Sequence, residues 1–153
     1  MDIKITGTPR YVDKKLVRKA TKFFASYLMQ KRLTDSINLE IKFEKLDHHL
    51  GECQPFHDEP GQPPRIFDIC IQPSLKKKDL LETLAHEIVH LKQFAKDELY
   101  EYDRLPNVHR WRGKKIKGGN DEEELLSPWE IEARGYELGL YYAFCKFLRG
   151  KKK

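Results

Sequence analysis

The sequence predicts an α+β fold, and three observations predict it. Apolar residues alternate with polar ones near the N-terminus and around residues 37–43, and an apolar-rich strand-like run returns at 65–72. Elsewhere they recur at three- and four-residue spacing, the signature of helices with one buried face. The segments follow one another as strand, helix, strands, helix, an aromatic and charged excursion, and a last helix. No repeat and no composition shift divides the chain. At 153 residues it is long enough to bury a core without staples, so a single domain over 1–153 is expected.

The elements follow in order. Ile3 to Ile5 alternates with polar neighbours and reads as a short edge strand, closed by the turn residues Gly7-Thr8-Pro9. Val12 to Leu33 reads as one helix, with Leu16, Ala20, Phe23, Phe24, Tyr27 and Leu28 on its apolar stripe. Ile37, Leu39, Ile41 and Phe43 alternate strictly with polar residues, a strand with one buried face. Leu46 to Pro64, rich in Pro and Gly, reads as a loop, and Arg65 to Gln72 as a further strand ended by Pro73-Ser74. From about Lys77 to Lys96 runs an amphipathic helix striped by Leu80, Leu81, Leu84, Ile88, Leu91 and Ala95. Leu99 to Asn120 is expected to be a hairpin or irregular excursion. Ser127-Pro128 then opens a last helix to about Leu148, with Pro at its favoured first position. Ile131, Leu138, Tyr141, Tyr142, Cys145 and Leu148 supply its expected packing surface.

Composition narrows the class of protein. A net charge of +5 and a pI of about 9.0 suit nucleic acid or another polyanion as a partner. Much of the excess lies in Lys76-Lys77-Lys78, Lys114-Lys115 and Lys151-Lys152-Lys153, and tracts of this kind are more often solvated surface. Cys53, Cys70 and Cys145 are odd in number and widely spaced, which argues against a disulfide scaffold and for a reducing compartment. Cys70 and Cys145 read as core residues, and Trp111 and Trp129 as packing anchors. No signal peptide and no membrane-spanning stretch is recognisable, so a cytoplasmic protein is expected.

The chemistry concentrates in His86-Glu87-Ile88-Val89-His90. At helical pitch two histidines four residues apart are separated by only about 40° around the axis. Both imidazoles can then reach one zinc ion, with Glu87 placed to act as general base on a water that the metal holds. The stripe of leucines lies opposite His86 and His90, so the histidines face water unless another element covers them. A catalytic zinc site needs a third protein ligand and one open position. Gln93 and Lys96 stand where the extended metzincin motif would need Gly and His, so that class is excluded.

Three residues remain as third ligand, ranked Glu130, then His109, then Glu132. Glu130 sits on the first turn of the last helix, where small Ala133 permits a close approach. The same residues, Ser127-Pro128-Trp129-Glu130, also spell a capping box, in which Glu130 would bond to backbone instead. Glu132 points about 200° away around that helix, so the two glutamates cannot share one ion. Glu82, Gln93 and Asp97 lie near the histidine face and are candidates to orient the ligands. Tyr100, Tyr102, His109 and Arg134 are candidates to stabilise an oxyanion. A second cluster, His48-His49 with Glu52, Cys53, His57 and Asp58, fits no zinc spacing and reads as a polar loop.

With these residues in view, His86-Glu87-x-x-His90 followed by Glu130-x-x-Ala133 resembles the small gluzincin-type metallopeptidases, whose Glu-x-x-Ala helix provides the third zinc ligand. Trp111-x-Gly113-Lys114 and Pro128-Trp129-Glu130-Ile131-Glu132-Ala133 further resemble small metallopeptidase-like proteins of bacteriophages, loosely called SprT-like. The resemblance covers about the C-terminal half. It implies a zincin-like domain: a small sheet, a motif helix and a C-terminal helix carrying the third ligand. It also implies a zinc-dependent metalloendopeptidase acting on protein or peptide, in the host cytoplasm if phage-encoded. SprT and Spartan proteins proper use a third histidine, which favours His109. Many gluzincins carry Asp where this chain has Arg134, so the usual carboxylate behind a zinc histidine is missing at that position. The competing expectation is a non-catalytic zincin-fold binding protein, associated with nucleic acid through its basic surface.

Overall fold

In the computed structural model, which describes residues 1–57, 61–102, 105, 107–118, 123 and 125–150, the elements are β1 (Asp2–Thr6), α1 (Lys14–Leu28), α2 (Lys31–Asp35), β2 (Asn38–Phe43), β3 (Gly51–Phe56), β4 (Ile66–Ile71), α3 (Lys77–Ala95), β5 (Leu99–Glu101), β6 (Val108–Trp111), β7 (Lys114–Lys117) and α4 (Pro128–Gly150). The fold is mixed α and β, as the hydrophobic patterning predicts. The main sheet has the order β1-β2-β4-β3, with β1, β2 and β4 parallel and β3 antiparallel at the edge. A second sheet, β5-β6-β7, is an antiparallel meander.

Alternation decides which face of the main sheet is covered. Ile3, Leu39, Ile41, Phe43, Phe67, Ile69 and Ile71 all point into one hydrophobic cluster with α1, α3 and α4. The opposite face carries cross-strand ion pairs, Lys4–Glu40 at 3.0 Å and Lys42–Asp68 at 2.5 Å. β1 ends at Gly7, whose φ of +69° and 2.2 Å gap between an added Cβ and the Phe43 carbonyl oxygen leave room for glycine alone.

Five sequence expectations need correction. The long helix over Val12–Leu33 is two helices. Asp13 caps α1 by accepting from the Leu16 amide at 2.7 Å, and the chain turns extended at Met29, whose side chain is buried. No Gly or Pro marks that break; burial of Met29 makes it. Tyr27, expected on the apolar stripe, is exposed.

Within the Leu46–Pro64 loop the structure forms β3. Its Pro55 lacks an N–H, which an edge strand paired only with β4 tolerates. Cys70 lies on the open side of the sheet, its thiol donating to Glu44 Oε1 at 3.1 Å, and is not a core residue; Cys145 is likewise only half-buried. On α4, Ile131, Leu138 and Tyr142 face outward, and the buried stripe is Trp129, Ala133, Leu140 and Phe144. The seam facing α3 starts with polar Glu130 and Glu137, so counting apolar residues alone selects the wrong face.

The expected excursion holds the three-stranded meander through Lys117, and Asn120 lies outside the described residues. Arg112 and Gly113, at φ +46° and +82°, form the two-residue turn between β6 and β7 that right-twisted strands favour. Leu99 and Trp111 turn inward, and the Trp111 ring lies 6.2 Å from that of Trp129 on α4, so both tryptophans do pack.

Candidate metal centre

α3 is buried nearly all round. Leu80, Leu84, Ile88 and Leu91 anchor one face in the core, and α4 covers the other, so His86 and His90 are withdrawn from bulk water. Across the α3–α4 contact, Glu130 meets them. His90 Nε2 lies 3.1 Å from Glu130 Oε1, His86 Nε2 lies 3.4 Å from Glu130 Oε2, and the two Nε2 atoms are 3.0 Å apart. Of the three candidates for third ligand, the structure brings Glu130 to the histidines. His109 stacks on Trp129 at 4.5 Å between ring centroids, near Glu101, and Glu132 bonds to Lys92, Gln93 and Arg112. The capping box is not made: Ser127 Oγ is buried with no hydrogen-bond partner among the described residues.

The protonation of the two rings follows from what surrounds them. His86 Nδ1 lies 2.8 Å from Glu137 Oε2. A carboxylate only accepts, so Nδ1 carries the hydrogen. His90 Nδ1 lies 2.9 Å from Gln93 Oε1. The Gln93 amide nitrogen is engaged by two acceptors, the Trp129 carbonyl at 3.0 Å and Glu132 Oε2 at 2.8 Å, so its oxygen must face His90. In its neutral form each ring thus presents an Nε2 lone pair to the other and to Glu130.

Three electron-pair donors within 3.0–3.4 Å of one another repel unless a proton or a metal cation lies among them. Four ligands around zinc at ~2.0–2.1 Å in a tetrahedron are roughly 3.3 Å apart. The donor set and its spacing therefore fit zinc. Among the described residues, His86, His90 and Glu130 form the one group of this kind. The His48-His49 cluster does not assemble with them, and its Asp58 lies outside the described residues.

Electrostatics agree with the geometry. Burial works to lower the His86 pKa, but Glu130 and Glu137 outweigh it and raise it. Glu130 is disfavoured as an anion by burial, yet its contacts with His86 and His90 hold it well below the usual carboxylate range. Glu87 is buried, and that burial, with neighbouring Glu130, Glu52 and Glu137, pushes its carboxyl up to about 7 against the opposing pull of His90. β3 crosses directly over it: a Cβ on Gly51 would lie 2.6 Å from Thr83 Cγ2 and 2.8 Å from Glu87 Oε1.

Of the residues expected to orient the ligands, Gln93 does so. Glu82 pairs with Lys78 and Asp97 with Arg110. Glu137, the acceptor behind His86, escapes the sequence reading. Its signal is its place seven residues after Glu130, two helical turns along the same face. It supplies the carboxylate that Arg134 does not. Among the oxyanion candidates Arg134 approaches Glu130, with Nε 3.9 Å from Oε2. Tyr100 and Tyr102 pack on each other beneath Arg110 and Lys115. Of the basic tracts, Lys76–Lys78 opens α3 and Lys114–Lys115 lies on β7, while Lys151–Lys153 falls outside the described residues. No described helix is long and apolar enough to cross a membrane.

No family model, no curated protein and no solved structure matches this chain. The gluzincin and SprT-like resemblance therefore rests on the chain's own residues.

Proposed function

We propose that this protein is a zinc-dependent metallopeptidase with a zincin-like arrangement, in which His86, His90 and Glu130 hold the metal and Glu87 is the general base. The observation that carries the reading is the convergence of His86 Nε2, His90 Nε2 and the Glu130 carboxylate within 3.0–3.4 Å, with both imidazole tautomers fixed from behind. Zinc in such a site acidifies water and polarises a scissile carbonyl. Glu87 takes the proton from the attacking water and returns it to the departing amine, as the C–N bond breaks and a C–O bond forms. Burial raises the Glu87 carboxyl of the metal-free fold toward the range in which one group can both take and give a proton.

β3 supports a peptide as the substrate. Among the described residues it pairs with β4 alone, and Gly51 brings its backbone against Glu87. An extended peptide adding to the open side of β3 would run its carbonyls past the proposed base. The setting we propose is the reducing cytoplasm, where the free thiols Cys53, Cys70 and Cys145 persist.

The test is metal analysis joined to hydrolysis of a denatured protein substrate. The native chain should bind one zinc and cleave. His86→Ala and Glu130→Ala should lose zinc and activity together, whereas Glu87→Gln should keep zinc and lose cleavage. Full zinc without cleavage in the native chain would favour the non-catalytic binding protein. Absence of stoichiometric zinc would overturn the reading.

A further inference from the structure

Behind His90 stands a second layer of side chains that the proposed reaction does not touch. Gln93 Oε1 accepts from His90 Nδ1, and Gln93 Nε2 donates to Glu132 Oε2 at 2.8 Å. Glu132 is itself fixed by two cations from different elements. Arg112, in the β6–β7 turn, donates to Oε1 at 2.7 Å, and buried Lys92 lies 3.2 Å from both oxygens. Lys92 also pairs with Glu98 at 2.6 Å, so Glu132 is not needed merely to neutralise it.

We propose that Glu132 is a positioning residue for the metal site: by accepting from the Gln93 amide it keeps the Gln93 oxygen on His90, and so keeps the His90 Nε2 lone pair aimed at the ion. The inference rests on the zinc reading above for its purpose, though not for its geometry. A side-chain amide has two ends of similar size and opposite hydrogen-bonding character. Were Gln93 to rotate by half a turn, its NH2 would face His90, Nδ1 would become the acceptor, and the hydrogen would move to Nε2, where no metal can bind. Two acceptors oppose that rotation, the Trp129 carbonyl and Glu132. Arg112 on Oε1 and Lys92 on both oxygens hold the Glu132 carboxylate in place. A residue in a β-turn thereby reaches a histidine on α3 through Arg112, Glu132 and Gln93 in series.

Glu132→Gln tests this with almost no change of shape. Arg112 and Lys92 require an acceptor, so the new amide turns its oxygen toward them and its NH2 toward Gln93, donor against donor. The expected result is a fold retained by circular dichroism and zinc affinity reduced about tenfold, the lower end for residues behind metal ligands. Affinity is read by competition with a chromophoric chelator. In the zinc-free protein, 15N spectra of the imidazole nitrogens should move His90 from the Nδ1–H form toward a mixture while His86 stays fixed by Glu137. A purely structural ion pair predicts no change of tautomer. An unchanged His90 spectrum in folded Glu132→Gln would overturn the inference, as would zinc affinity equal to that of the native chain. If the native chain takes up no zinc, the functional reading fails on its own, and the tautomer measurement still decides whether Glu132 sets His90.

Discussion

Replacing Glu87 by Gln should stabilise the metal-free protein, and the gain should grow steeply with pH. Burial raises the Glu87 carboxyl from 4.5 to about 7. Between those values the folded protein holds a proton that the unfolded chain has released, so stability falls as pH rises through the window and levels off above it. With 1.36 kcal/mol per pKa unit, the penalty is about 1 kcal/mol at pH 5 and about 3 kcal/mol at pH 8. Glutamine carries no charge to bury and fills nearly the same volume, so it escapes this penalty. The difference in unfolding free energy between variant and native chain should therefore increase by about 2 kcal/mol from pH 5 to pH 8. Urea unfolding followed by circular dichroism, with excess chelator at each pH, measures it. Titrating groups remote from Glu87 are common to both proteins and cancel in the comparison, while His90, Glu130, Glu52 and Glu137, whose charges act on Glu87, add their own response to the difference. A difference that stays constant across the range would refute the argument, because it would mean that Glu87 ionises in the fold as easily as in water. The same burial that costs stability poises the group as a base near neutrality.

Two further outcomes follow from the contacts around the site. Gly51→Ala places a methyl 2.6 Å from Thr83 Cγ2 and 2.8 Å from Glu87 Oε1. It should cost about 1–3 kcal/mol in denaturant unfolding and impair cleavage with zinc affinity retained, since His86, His90 and Glu130 lie off that contact. Glu137→Ala removes the acceptor 2.8 Å behind His86. Zinc affinity should fall about 10–100-fold, read by chelator competition, with the fold intact; unchanged affinity would show that His86 needs no such support.

Much of the architecture was legible in the chain because local periodicity and burial agree where an element has a single apolar face. β1, β2, β4 and α3 follow their patterns to within a residue or two. Where the two disagree the reading failed. α4 turns Glu130 and Glu137 toward α3 and leaves Ile131, Leu138 and Tyr142 outside, so hydrophobicity pointed to the wrong stripe. β3 was hidden because Gly51 and Pro55 signal a loop, yet an edge strand tolerates Pro55 and the close approach to Thr83 and Glu87 requires Gly51. The break at Met29 carries no punctuation at all; the core takes the side chain and the backbone follows.

The sequence by itself determined that His86 and His90 share one face of α3, with Glu87 beside them, because four residues make about one helical turn wherever the helix lies. It also restricted the third donor to three residues and ruled out the extended metzincin spacing. Only the tertiary structure decided among those three, for the separation of Glu130 from the histidines depends on how α4 crosses α3, over forty residues further along the chain. It alone set Glu137 behind His86 and Glu132 behind Gln93, and it buried Glu87 under β3. Helical pitch is a local property that sequence spacing records directly. Helix crossing and the dehydration of a carboxylate are settled by packing between distant segments, which spacing does not record.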